Sequence, residues 1–306
     1  MWPGGCLRFM RVLLADGAMG TELMARVPGL SRPAQLNLDA PELVRGLHLE
    51  YLAAGAELVL ANTLMATPEE AAAGVQLARE AVAFAVSGAA AGVEREPPLR
   101  GDIPCGAAHP PARSPGSARN PVGREPQVLV AASVAAEPAP SAELIAALDE
   151  ADAIMLETVT SVAALQAAVR VLKGRWRKAI MATLSFGRDG TLEGRTPEEV
   201  AKVVEPMGLD AFGYGCGFGL EHARGVMRAL REAAPEAVLI ATPNVGVPPA
   251  TPSTPEEAAG WADDMAELGV RIIGTCCGSS PAHTRAIADR LEAQLSEPEE
   301  DESDGS

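Results

Sequence analysis

Three of the five cysteines sit late in the chain in glycine-rich company: Cys216 within Gly213-Tyr214-Gly215-Cys216-Gly217, and Cys276 and Cys277 within Gly274-Thr275-Cys276-Cys277-Gly278. Adjacent cysteines rarely bridge each other, because a vicinal disulfide distorts its peptide, and inside a strand they point to opposite faces. Where a strand turns into a loop between glycines, both sulfurs can swing toward one ion. A third thiolate from Cys216 leaves the fourth tetrahedral position of a Zn2+ open, which is the arrangement of a catalytic site. Three thiolates also leave the centre net negative, a poor Lewis acid toward carbonyls. It still deprotonates a bound thiol and keeps that sulfur nucleophilic. The expected chemistry is attack by a substrate thiolate on an alkyl carbon.

Two carboxylates suggest the rest of the substrate. Asp16 and Glu157 have no compensating Arg or Lys beside them in the sequence and suit the ammonium of an amino acid. A thiol with an ammonium means homocysteine or cysteine. Backbone N–H groups of Gly17, Ala18 and Gly20 are candidates for the substrate carboxylate. Asn62 and Asn244 complete the candidate binding set. Plainer readings stand beside these: Asp16 as a helix cap, Glu157 as a structural carboxylate, and Asn244, between Pro243 and Gly246, as a turn residue. His48, His222 and His283 fall in or at the start of helical patterns, where surface or capping roles are the expectation. Cys105 and His109 form a C-x3-H pair lacking two further ligands.

Something must bring these residues together. Short apolar runs ending in Gly, Asn, Thr or an acid alternate with helical patterns, the rhythm of parallel strands feeding helices. The candidates are residues 11–17, 57–63, 127–134, 153–158, 179–186, 211–217, 238–246 and 272–278. The fold class expected is α/β, a (β/α)8 TIM barrel, with the site at the C-terminal ends of its strands. Asp16, Asn62, Glu157, Cys216, Asn244 and the Cys276-Cys277 pair all fall at such ends. Thr196-Pro197-Glu198-Glu199 and Thr254-Pro255-Glu256-Glu257 each predict a helix start, with Thr as N-cap and Pro at the first position. Residues 135–152 leave little room for a crossover, so the third βα unit should be trimmed. Residues 1–10 read as an N-terminal extension, 11–292 as the barrel, 94–126 as a Pro/Gly-rich insert and 293–306 as an acidic, disordered tail.

Composition excludes other classes. Lys plus Arg is 25 and Asp plus Glu 41, a net charge of −16, which argues against nucleic acid as a partner. No apolar stretch reaches the length of a membrane span, and the first ten residues lack a signal-peptide pattern, so a cytoplasmic protein is expected.

The segments Asp16-Gly17-Ala18-Met19-Gly20-Thr21-Glu22-Leu23, Tyr51 to Thr63, Leu156-Glu157-Thr158, Pro243 to Pro248 and Gly274 to Pro281 together resemble the homocysteine S-methyltransferase family. The resemblance runs from about Arg11 to Leu291. It implies a zinc-bearing barrel that methylates homocysteine to methionine, with Cys216, Cys276 and Cys277 as metal ligands and Asp16 and Glu157 as the acids that bind homocysteine. The chain departs from the family's usual Gly-x-Asn-Cys at Gly213-Tyr214-Gly215-Cys216, from Thr-Asn-Thr-Phe at Ala61-Asn62-Thr63-Leu64, and from Gly-Ser-x-Gly-Pro at Ala132-Ser133-Val134-Ala135-Ala136. These departures bear on the donor side of the pocket. Few aromatic residues argue against betaine, whose quaternary ammonium usually needs an aromatic cage. The wording of Ser185 to Gly190 is closer to the methionine-synthase type. The partners implied are homocysteine and a small-molecule methyl donor, with a corrinoid protein as a further candidate. The alternatives are a catalytically impaired barrel that binds zinc and homocysteine as a regulatory subunit, and a methyltransferase for another small thiol.

Overall fold

The computed structural model describes residues 12–87, 128–246 and 251–296. The extension at 1–10, the insert at 94–126 with Cys105 and His109, and residues 297–306 lie outside the described residues.

Eight strands form one parallel sheet: β1 (Leu13–Leu14), β2 (Leu58–Ala61), β3 (Leu129–Ala135), β4 (Ala153–Val159), β5 (Ala179–Leu184), β6 (Ala211–Cys216), β7 (Leu239–Pro243) and β8 (Ile272–Ile273). Neighbours follow chain order and β1 pairs with β8. The ring closes between β1 and β2, where Glu57 N donates to Leu14 O (2.8 Å) and Asp16 N to Leu58 O (2.9 Å). This is the expected TIM barrel. Regular pairing in β1 and β8 is shorter than the apolar runs suggested. Past Ile273 the backbone runs against strand 1 so closely that a Cβ on Gly274 would lie 2.8 Å from the Ala15 Cβ.

Strand alternation divides the core into two layers. Ala153 and Met155 of β4 point into the barrel with Leu58, Met181 and Ile240, whereas Ile154 and Leu156 face the helices. Small alanines inside the ring leave space that the methionines fill.

The outer helices are α1 (Gly20–Arg26), α2 (Leu36–Asp39), α3 (Pro41–Ala53), α4 (Pro68–Val86), α5 (Ala142–Ala147), α6 (Val162–Arg175), α7 (Pro197–Val204), α8 (Leu220–Ala233), α9 (Pro255–Glu267) and α10 (Pro281–Ser296). Thr67, Thr196 and Thr254 each form a full capping box with a Glu three residues on. The third unit is trimmed as expected, α5 having six residues. The last helix continues to Ser296, past the barrel boundary of 292 read from the sequence.

His48 corrects the expectation of a surface histidine. It lies on α3 with no exposure, and neither ring nitrogen has a hydrogen-bond partner. Burial lowers its pKa from 6.5 to about 4, so the folded protein holds the neutral ring. Between those values the unfolded chain binds the extra proton, so stability is lost as pH falls from 6.5 toward 4, by about 3 kcal/mol for this group. Urea unfolding at pH 7 and 4.5 should show the loss, and His48→Leu should remove that part of it. An unchanged pH slope in the variant would exclude His48 as its source.

Candidate metal centre and amino-acid cradle

The three cysteines converge at the C-terminal mouth of the barrel. Cys216 ends β6, while Cys276 and Cys277 follow β8, and their Sγ atoms all lie within 4.8 Å of one another. The Sγ atoms of Cys216 and Cys276 are 3.1 Å apart and those of Cys276 and Cys277 3.8 Å. Four ligands at Zn–S distances of ~2.3 Å around a tetrahedron are spaced by about 3.8 Å, so this donor set suits zinc by its chemistry and the Cys276–Cys277 pair already has that spacing. In the thiol cluster, hydrogen bonds from Cys216 and Cys276 lower the pKa of Cys277 to about 3. Hydrogen bonds to its neighbours and burial raise Cys276 well above the usual thiol value.

Backbone contacts set the double-cysteine loop. Cys276 N donates to Pro243 O (2.7 Å) and Val245 N to Cys277 O (3.1 Å). Gly278 N donates to Thr21 Oγ1 (3.2 Å), and Ala18 N to Ser279 Oγ (2.9 Å). Gly278 takes φ +85, and a Cβ there would stand 1.8 Å from Gly246 O, so only glycine fits. The loops after β1, β7 and β8 are thus tied together around the cysteines.

Beside the cysteines are the two acids. Asp16 is buried, and its Oδ2 accepts from Leu60 N (2.9 Å) while Oδ1 is buried with no partner. The helix-cap reading fails, because α1 begins after Met19 without a side-chain cap. Burial holds the Asp16 carboxyl well above the usual range, and the charge of Glu157 pushes the same way. Glu157, on β4, is half-buried and accepts the Ser133 hydroxyl. Burial raises it to about 7 against that hydrogen bond, and the charge of Cys216 adds to the rise. Two carboxyls at one mouth, one of them with a buried oxygen that has no partner, are a donor set whose chemistry suits a cation.

The remaining candidates divide. The Gly17 N–H carries no hydrogen bond within the described residues, whereas the Ala18 amide is committed to Ser279 and is not free for a substrate carboxylate. Asn62 donates to Pro33 O and Asn37 Oδ1, which ties its amide to the α2 segment. Asn244 donates to Gly217 O (2.9 Å), and its Oδ1 is buried without a partner. His283 caps α10: its Nδ1 accepts from Ser280 N (3.1 Å). Ser133, Thr158, Ser279 and the pair Tyr214 and His222 were not picked out as site residues by sequence reasoning. Thr158 donates to Cys216 Sγ at 3.3 Å, and its position directly after Glu157 was the one available signal.

The family model for homocysteine S-methyltransferases matches residues 13–291. The chain belongs to the homocysteine S-methyltransferase family. It is 28% identical to methionine synthase of Mycobacterium tuberculosis over 94% of its own length and 25% of that protein. It is also 28% identical to betaine–homocysteine S-methyltransferase 1 of Xenopus tropicalis, over 83% of this chain and 66% of that one. The chain therefore spans about a quarter of the first relative and about two thirds of the second. The metallated form of the homocysteine methyltransferase MmuM from Escherichia coli superposes with a TM-score of 0.69 at 23% identity, covering 92% of this chain and 96% of that one, a likeness of fold. Among the described residues no helix is long and apolar enough to cross a membrane.

Proposed function

We propose that this barrel transfers a methyl group to the thiol of homocysteine, giving methionine, with zinc held by Cys216, Cys276 and Cys277. The observation that carries the reading is the meeting of three sulfurs within 4.8 Å with a buried carboxylate whose Oδ1 has no partner, at one end of one barrel. When bound, zinc supplies the charge that strips the proton from the substrate thiol and leaves its sulfur nucleophilic.

The chain's own residues do the rest. Asp16 Oδ1 and Glu157 receive the substrate ammonium, and the Ser133 hydroxyl fixes the rotamer of Glu157. The Gly17 N–H faces the role of carboxylate donor. Asn62 and Asn244 shape the cradle through the loops they tie. Held by its amino-acid end, homocysteine has its sulfur directed to the cysteine triad. In the transfer the S–CH3 bond forms as the bond from methyl to donor breaks, its electron pair leaving with the donor.

A quaternary ammonium donor finds little here. Near the mouth, Phe186 and Tyr214 are buried and stacked on each other, with centroids 6.4 Å apart. Phe218 is exposed, but the Arg188 guanidinium already lies 4.8 Å from its ring centroid. A cation stacked there excludes a second. Donor candidates are then S-methylmethionine, S-adenosylmethionine, or a methylcorrinoid brought by a partner protein. Methionine formation from homocysteine with each of the first two donors and with methylcobalamin tests the reading. Product with one donor is expected. Homocysteine binding without turnover with any donor would instead support an impaired binding subunit, a reading that the six-residue α5 favours.

A further inference from the structure

Cys216 has an unusual backbone. It is a non-glycine residue at φ +56, and Gly217 follows at φ +64, so the first metal ligand opens two consecutive left-handed residues. Such a conformation persists only where neighbouring contacts over-determine it. Three contacts converge here. Asn244 N donates to Cys216 O (3.0 Å) and Asn244 Nδ2 to Gly217 O (2.9 Å). The third comes from below: Phe218 N donates to the Tyr214 hydroxyl oxygen at 2.8 Å.

Tyr214 is fully buried, two residues before Cys216 on β6. The loop folds so tightly over its hydroxyl that a Cβ on Gly217 would lie 2.0 Å from the oxygen. Because an amide can only donate, the Tyr214 oxygen accepts from Phe218. The same hydroxyl shares a second hydrogen bond with His222 Nδ1, 2.8 Å away on α8. The ring of His222 is in turn packed against Phe218, with centroids 5.5 Å apart. A chain of two hydrogen bonds thus runs from α8 through the barrel strand to the amide just past the ligand.

We infer that Tyr214, oriented by His222, is a positioning residue for the metal ligand Cys216: its hydroxyl pins the Phe218 amide and so holds the Cys216 sulfur toward Cys276 and Cys277. The inference rests on the metal-centre reading above and deepens it. It also gives a physical role to the local sequence Gly213-Tyr214-Gly215-Cys216, in which no side-chain amide stands directly before the cysteine. Gly215 cannot supply one, since a Cβ there would lie 2.5 Å from Thr183.

The test is Tyr214→Phe, which keeps the ring and its stacking on Phe186 and removes one oxygen. Zinc affinity is measured by competition with a chromophoric chelator under reducing conditions, and the Co2+ form is examined for thiolate charge-transfer and d–d bands. The expected result is a folded variant whose zinc affinity falls about 10- to 100-fold, with altered cobalt bands, as for loss of a group that orients a ligand. A variant with parental affinity and parental bands, whatever its melting temperature, overturns the inference while leaving the metal centre standing. A folded parent that binds no zinc overturns the metal centre itself. Should Tyr214→Phe fail to fold, the pair His222→Leu and His222→Gln decides. Weakened zinc binding in the first and recovery in the second, which restores a hydrogen-bonding partner, supports the inference, and parental affinity in His222→Leu or no recovery in His222→Gln overturns it.

Discussion

Cys276→Ala is expected to lower zinc content from about one per chain to a small fraction and to cut methyl transfer by about three orders of magnitude or more. Cys276 is the middle sulfur of the cluster, 3.1 Å from Cys216 and 3.8 Å from Cys277. Its loss leaves two thiolates whose mutual position no third ligand fixes. A metal contribution of several kcal/mol to the reaction corresponds to at least about a thousandfold in rate. The backbone reasons for the loop persist in the variant, because Cys276 N still reaches Pro243 O and Gly278 N still reaches Thr21. The variant should therefore fold. Elemental analysis and turnover measured on the same reduced preparations make the check. Parental turnover in a zinc-free variant would show that the thiols do not serve the reaction through a metal.

The parts of the candidate site readable from the sequence are those carried by rare residue types at strand ends. Cys216, Cys276, Cys277, Asp16 and Glu157 each follow an apolar run, and a parallel barrel gathers all such ends at one mouth. The capping threonines were legible for a similar reason, since a Thr-Pro-Glu-Glu start needs only local geometry. What long-range packing decides was not. His48 sits in a helical pattern indistinguishable from that of a surface histidine, and its burial comes from the helices that pack over it. Ser133 lies within an apolar strand, and its meaning depends on Glu157 standing beside it on the adjacent strand. Ala18 looked as free as Gly17 until Ser279, 261 residues away in sequence, took its amide. Strands β1 and β8 were overestimated because an apolar run does not report where pairing stops and the loop toward the site begins.

Asp16→Asn is expected to separate the cradle's function from its stability. At present Asp16 Oδ2 accepts from Leu60 N, and Oδ1 has no partner in a buried place. An asparagine keeps an acceptor for Leu60 and places an uncharged amide where the orphaned oxygen stood. The substrate ammonium then meets a donor in place of a carboxylate. Truncating one side of a buried charge pair costs about 2–5 kcal/mol, so the KM for homocysteine should rise by about a hundredfold while zinc content stays parental. Stability should move the other way. Burial raises the Asp16 pKa above its unfolded value, so between the two values the folded state holds the extra proton and stability falls as pH rises. Holding this carboxyl in a buried place therefore costs stability at pH 7 relative to low pH, and asparagine removes that cost, so urea unfolding at pH 7 should shift to higher denaturant in the variant. A residue serving only to hold the fold would give the opposite result, a lower midpoint with homocysteine affinity unchanged. Under the proposed function, the buried Oδ1 without a partner is a cost to the free protein that the substrate ammonium would offset.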